Sequence, residues 1–212
     1  MSWRSSNFLE RFLVIISRIL FFRLNRLDIT GMENIPLDAA PRLYVSNHVS
    51  FFETMAIPMC VVEQQKQRQL RIAAKEELLR VPLIGAVLKA INTIPVKRKR
   101  GAKAYRDILE SISRGNSVLI FPEGTRSRDG EIRRANRGLG RLIIEAQVPV
   151  VPIRVDGLHR WRLLRFRQQA RLVFGEPLKR EDLWQPDTKD APTDRATEQQ
   201  IADKVMEKIR LL

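Results

Sequence analysis

Cysteine, histidine and long uncharged apolar runs are all scarce in this sequence of 212 residues. Its single cysteine, Cys60, excludes an intrachain disulfide, and with two histidines there is no Cys/His cluster for structural zinc. A reducing, cytoplasm-facing setting fits that usage. Cys60 lies in the apolar run Ala56-Ile57-Pro58-Met59-Cys60-Val61-Val62 and reads as a small buried hydrophobe, not a reactive thiol. Internal repeats and low-complexity tracts are absent, as are zinc-finger spacing, an RNA-recognition signature and a basic heptad array.

The nearest approach to a membrane-spanning run is Phe8 to Leu27, which is rich in Phe, Leu and Ile but broken by Glu10, Arg11, Arg18 and Arg23. A spanning helix needs about 20 predominantly apolar residues, so this stretch falls short. It also lacks the small-residue cleavage pattern of a signal peptide. Phe8, Phe12, Ile15, Ile19 and Phe22 recur at helical spacing, with arginines able to reach outward. The same pattern suits a helix lying in a bilayer interface and one packed on its own domain.

What is present is apolar content and positive charge. Hydrophobic residues make up 44% of the chain, enough for one sizeable core, so a single domain is expected. The net charge of +14 draws the protein toward polyanions, either nucleic acid or anionic membrane. Strand-like runs recur at residues 27–30, 42–45, 71–73, 93–96, 118–121, 150–153 and 170–174. Helical spacing appears at 52–65, 82–90, 102–113 and 138–145, with a last helix at 197–211. This alternation predicts an α/β fold with a mostly parallel central sheet flanked by helices, preceded by the N-terminal amphipathic segment. The expected organisation is an interfacial helical segment over 1–26, a catalytic domain over 27–184, and a linker with the C-terminal helix over 185–212. In such sheets ligands bind beyond the carboxyl ends of the strands.

Directly after the second run comes Ser46-Asn47-His48-Val49-Ser50-Phe51-Phe52-Glu53. If Glu53 accepts a hydrogen bond from one ring nitrogen of His48, the other nitrogen is free to act as a general base. A histidine beside a carboxylate is equally compatible with a structural bond. A second group, Phe121-Pro122-Glu123-Gly124-Thr125-Arg126-Ser127, also follows a strand. Gly124 permits positive φ or close approach, and Arg126 offers a planar fork for phosphate. A third, Ile94-Pro95-Val96-Lys97-Arg98-Lys99-Arg100-Gly101, runs from a strand into four cations. It reads as a solvated basic loop or, if the strands are parallel, as a phosphate clamp at the same sheet end, with Lys75 as a further member.

Together these blocks resemble the glycerolipid acyltransferases typified by 1-acylglycerol-3-phosphate acyltransferase. Asn47 to Glu53 resembles that family's first block, Asn-His followed after four residues by an acid, usually aspartate. Ile94 to Arg98 resembles the second block, Phe121 to Ser127 matches the third in full, and Val148-Pro149-Val150-Val151-Pro152-Ile153 resembles the fourth. The segment from Ala74 through Gly85 is similar to the family's lysine-bearing stretch. The one departure is Glu53 in place of aspartate, whose extra methylene requires the turn at Phe51 and Phe52 to hold the acid further back.

The resemblance implies acyl transfer from acyl-carrier protein or coenzyme A to the free hydroxyl of a 1-acylglycerol phosphate, with no cofactor, no metal and no acyl-enzyme. It makes His48 the base, Glu53 its orienting partner, and Arg98 and Arg126 phosphate ligands joined by Lys75. Glu123, Gly124 and Thr125 then shape the acceptor site. It implies a lysolipid, a thioester carrier and an anionic membrane surface as partners, not nucleic acid. The expected location is the cytoplasmic face of a bacterial inner membrane, held by the N-terminal helix; from its own residues, the run Arg160 to Arg167 reads either as part of the membrane-docking face or as a solvated loop. Alternatives are another acceptor, such as a different lysophospholipid or an ornithine lipid, and a non-catalytic basic protein that binds membrane or nucleic acid.

Overall fold

Runs that are apolar at nearly every position become inner strands, because a strand covered on both faces has no side for polar residues. The computed structural model describes residues 12, 15–38, 40–65, 70–81, 85, 88, 93–96, 101–162, 165–185 and 194–212, without the side chains of Gln65, Lys75 and Leu78. The strands are β1 (Arg26–Thr30), β2 (Leu43–Ser46), β3 (Leu70–Lys75), β4 (Ile94–Val96), β5 (Ser117–Ile120), β6 (Val150–Asp156) and β7 (Gln169–Phe174). They form one seven-stranded sheet in the order β1-β7-β6-β2-β5-β3-β4. From β6 to β4 every pairing is parallel. β7 runs antiparallel to β6 and pairs in parallel with β1, so these two strands alone are reversed. The expected mostly parallel α/β architecture is the one observed, with strands in all seven expected places.

The helices are α1 (Glu53–Gln65), α2 (Gly101–Ser113), α3 (Gly138–Ala146), the short α4 (Arg180–Leu183) and α5 (Arg195–Leu211). Side-chain alternation along the buried strands assigns them to two layers. Tyr44, Leu119, Val151 and Ile153 face α1 and pack with Ala56, Ile57, Cys60 and Val61, together with Phe21 and Trp161. Leu43, Val45, Val118, Ile120 and Val150 face the other way, against Leu139, Leu142 and Ile143 of α3 and Ile201, Val205 and Ile209 of α5. The C-terminal helix is thus part of the main core. Cys60 sits in the first layer, where burial pushes its thiol up to about 12, far above the range in which a thiol reacts at neutral pH.

Residues 15–18 are helical and continue into a π-helical turn at Ile19–Leu24. Phe21 is buried against Trp161, with ring centroids 5.9 Å apart, while Phe12, Ile15, Ile16, Ile19 and Phe22 are exposed. Among the described residues, no helix is long and apolar enough to cross a membrane. Residues 1–11, most of the expected helix at 82–90, and the linker at 186–193 lie outside the described residues.

Since the five strands from β6 to β4 point the same way, their carboxyl ends share one sheet edge. After β2 the chain enters α1 on one face, whereas after the neighbouring β5 it leads to α3 on the other. Diverging connections of this kind open a crevice between adjacent strand ends. The His48 and Glu123 blocks begin there.

Candidate active site

Asn47 fixes where the site begins. Its side-chain amide donates to the Val155 carbonyl (2.9 Å), and its Oδ1 accepts the Val155 N–H (2.8 Å). The amide behaves as an additional peptide group, extending the β2–β6 pairing beyond Ser46 after the main chain has turned away. Both Asn47 and Ser46 are fully buried. His48 therefore leaves a strand end anchored on one side by β6.

The third block anchors it on the other. The His48 N–H donates to Glu123 Oε1 (3.0 Å), and its carbonyl accepts the Ser127 N–H (2.7 Å). Glu123 Oε2 also accepts the Arg133 N–H (3.3 Å). Burial pushes the Glu123 carboxyl above its ordinary value, against the pull of these two N–H donors. The loop is shaped by Gly124, at φ +73°, where an added Cβ would press on Asn136 Nδ2. Asn136 in turn bonds the Pro122 carbonyl through both its backbone and its side-chain nitrogen.

Inside this frame, His48 Nδ1 lies 2.8 Å from Glu53 Oε1, and the same oxygen accepts the Val49 N–H (2.9 Å) and the Ser50 N–H (2.7 Å). A carboxylate can only accept, so in a neutral imidazole Nδ1 holds the proton and Nε2 keeps its lone pair. The Glu53 side chain is 0% exposed and that of His48 is 17% exposed, which shields the carboxylate and leaves the imidazole accessible. The His48 ring stacks on Phe121 at 4.3 Å, fixing the ring plane. Glu53 opens α1, where a negative charge is favoured by the helix dipole. Its extra methylene is accommodated where the turn directs the backbone amides of Val49 and Ser50 onto one carboxylate oxygen. The other oxygen, Oε2, is buried without a hydrogen-bond partner, a cost of about 1–3 kcal/mol that the three bonds to Oε1 offset.

Thr125 and Arg126 are exposed at the rim, and Arg126 forms no ion pair among the described residues. It directly precedes Ser127, whose N–H grips the His48 carbonyl, so the cation and the imidazole stand on the same tied loop pair. Ser127 is buried and donates its hydroxyl to Asp129 Oδ1 (2.5 Å), a bond that lowers the Asp129 carboxyl below its ordinary value. The backbone of Lys75 ends β3, which pairs with β5, but its side chain is outside the described residues, as is Arg98 just past β4. Among the described residues, no group of three or more His, Cys, Asp and Glu side chains could hold a metal ion.

The acyltransferase family profile matches residues 26–156, a span that carries both anchored blocks. The chain belongs to the acyltransferase family. It is 32% identical over 133 residues to the chloroplastic 1-acyl-sn-glycerol-3-phosphate acyltransferase BAT2 of Brassica napus, covering 61% of this chain and 37% of that one. It is likewise 32% identical over 140 residues to the 1-acyl-sn-glycerol-3-phosphate acyltransferase of Pseudomonas aeruginosa, covering 64% and 51% respectively. The chain thus spans about half the length, or less, of these curated relatives. The crystal structure of the 1-acyl-sn-glycerophosphate acyltransferase PlsC from Thermotoga maritima superposes with a TM-score of 0.68. It covers 98% of this chain and 82% of its own at 22% identity, a likeness of fold.

Within this acyltransferase fold, sequence reasoning overlooked the bracing role of Asn47, although the residue type held a clue. Asn alone among small residues offers a donor and an acceptor in peptide geometry, and here it stands at a strand end. The Phe121 stack and the contact of Phe52 with Trp161 (5.7 Å, edge to face) were not visible at all, because they join residues far apart in the chain.

Proposed function

We propose that the protein transfers a fatty acyl chain from acyl-carrier protein or coenzyme A to the free hydroxyl of a 1-acylglycerol-3-phosphate, yielding phosphatidic acid at a membrane surface. The observation that carries this reading is the bond from His48 Nδ1 to the buried Glu53 carboxylate, which leaves Nε2 as a base. Nε2 takes the acceptor hydroxyl proton as that oxygen attacks the thioester carbonyl. The tetrahedral intermediate then collapses with cleavage of the C–S bond, and Nε2 returns the proton to the departing thiolate. Glu53 holds the tautomer and stabilises the transient imidazolium. Arg126, exposed at the rim, takes the acceptor phosphate, and Arg98 and Lys75 are assigned to the same anion on the strength of the family resemblance.

The acceptor resides in a bilayer and the thioester arrives from water, so the enzyme works at the interface. The exposed side chains of Ile15, Ile16, Ile19 and Phe22 support attachment there, since a cluster of large apolar side chains on one short helix is unusual on a free soluble surface. The net charge of +14 favours an anionic leaflet, assigned as the cytoplasmic face of a bacterial inner membrane. A donor-by-acceptor activity matrix with purified protein tests the function. Phosphatidic acid should form from the lysophosphatidate, and His48→Ala should lower turnover by about 10²–10⁴-fold with the fold intact. Near-normal turnover by that variant sinks the assignment, and preference for another lysolipid headgroup reassigns the acceptor.

A further inference from the structure

Between β6 and β7 the chain returns to the N-terminal helical segment, in a connection described at 157–162 and 165–168. It carries Arg160, Arg162, Arg165 and Arg167, all exposed, and Phe166, which is 60% exposed. A solvated loop with these residues would have little to hold its shape, yet this one is braced from within by the side chain of Gln168. Gln168 Nε2 donates to the carbonyls of Arg162 (2.9 Å) and Arg165 (2.8 Å), and its Oε1 accepts the Arg162 N–H (2.8 Å). The connection is also fastened to the end of the helical segment. The Arg167 N–H donates to the Leu24 carbonyl (2.7 Å), and the Gln168 N–H to Asn25 Oδ1 (3.0 Å). Asn25 Nδ2 in turn bonds the Leu20 carbonyl (3.0 Å). Arg167 sits at φ +58°, a left-handed conformation that a residue with a side chain keeps only where its surroundings hold it.

The side chains displayed by this framework are exposed. Arg162, Arg165 and Arg167 form no ion pair among the described residues, and neither does the exposed Arg23 on the helical segment. The exposed Phe166 stands among these cations, next to the residue bonded to Leu24, which is itself exposed at the end of the apolar helix. Unpaired guanidinium groups around an aromatic side chain match the chemistry of an anionic lipid surface, with phosphates at the level of the cations and an apolar boundary just beneath.

We propose that this connection is a second membrane-contacting arm, in which Arg162, Arg165 and Arg167 take anionic phospholipid headgroups and Phe166 enters the acyl boundary. Through the bonds at Leu24 and Asn25 it acts as one platform with the N-terminal helical segment. The inference rests on the membrane acyltransferase reading above, and its test can fail separately from that reading.

Sedimentation of the full chain with vesicles of phosphatidylglycerol and phosphatidylcholine, or of phosphatidylcholine alone, provides the test. Arg162→Ser combined with Arg165→Ser should weaken binding to the anionic vesicles by about fivefold per arginine, with little change on phosphatidylcholine. Phe166→Ser should weaken binding to both. Turnover of a short-chain lysophosphatidate dissolved as monomers should stay at the wild-type rate, because these side chains stand outside the reacting centre. Unchanged affinity for anionic vesicles in both variants overturns the proposal, as does lost turnover on the monomeric acceptor. A raised KM for an acidic carrier-protein donor with vesicle affinity intact also overturns it, reassigning the surface to protein docking. If the wild-type protein transfers no acyl chain to any acceptor while the vesicle results hold, the function fails and the arm stands.

Discussion

The turn from Asn47 to Glu53 and the loop from Gly124 to Arg126 meet at one strand end, yet they are built in opposite ways. In the turn, the Asn47 amide, the His48 backbone and imidazole and the first Glu53 oxygen are all engaged in bonds of 2.7–3.0 Å, and every residue of the segment is buried or half-buried. In the loop, Thr125 and Arg126 stand in water, and the Arg126 guanidinium is uncommitted. The chemistry of the task proposed for each explains the difference. A proton transfer needs its base within a few tenths of an ångström of the right position, so the base is held before substrate arrives. A phosphate ligand gives up hydration when it binds, and a long solvated side chain can adjust to the anion at that moment. Glu123 joins the two regions, lying in the loop block while spending its carboxylate on the backbone of the turn.

Changing the turn should give the largest effect. Glu53→Gln preserves the shape and an acceptor for the two backbone amides, but removes the charge that stabilises the imidazolium. We expect kcat to fall by about 10²–10⁴-fold with the acceptor KM nearly unchanged, as measured by steady-state kinetics. If kcat survives, the turn is not the preorganised half of the site. Next in size is Arg126→Ala, which should raise the acceptor KM by about 10–100-fold, the value of a lost charge-assisted bond, while kcat stays within a few-fold. An equal rise in the donor KM would place Arg126 on the thioester side instead.

The smallest effect concerns Glu123, whose carboxyl is raised by burial above its ordinary value of 4.5. A group with a raised folded value favours the native state most below its unfolded value and loses that contribution as pH rises through the folded one. The melting-temperature gap between the protein and Glu123→Gln should therefore move in favour of the variant as pH climbs above 4.5. Because the group is only half buried, the change should be on the order of 1 °C. The sign holds whatever constant offset the altered hydrogen bonds introduce, and a gap that stays flat would mean that Glu123 keeps an ordinary carboxyl.

The strands were legible because a buried strand must be apolar whatever its neighbours, and Leu43-Tyr44-Val45 and Val118-Leu119-Ile120 bear that pattern openly. Their direction was less so. The apolar run Leu172-Val173-Phe174 is the same for a parallel and an antiparallel partner, so the reversal of β7 against β6 could not be read from it. The pairing of His48 with Glu53 was accessible because the two lie five residues apart on one turn. The hold of Glu123 on His48 spans 75 residues, and that of Asn47 on Val155 spans 108, so neither is a local property of the chain. The expectation that Glu123 shapes the acceptor site gave no sign that its carboxylate accepts the His48 N–H.

Trp161 lies between Phe21 of the N-terminal helical segment and Phe52, next to Glu53, with ring centroids 5.9 and 5.7 Å away. This line of rings packs the segment proposed for attachment directly against the residue before Glu53. On a membrane, the height of the imidazole above the lipid would then be set as by a fixed rule, and a lysolipid would have to lift its hydroxyl to that level to react. The lift would carry a cost set by that height, because each methylene that the acceptor draws out of the bilayer loses hydrophobic contact.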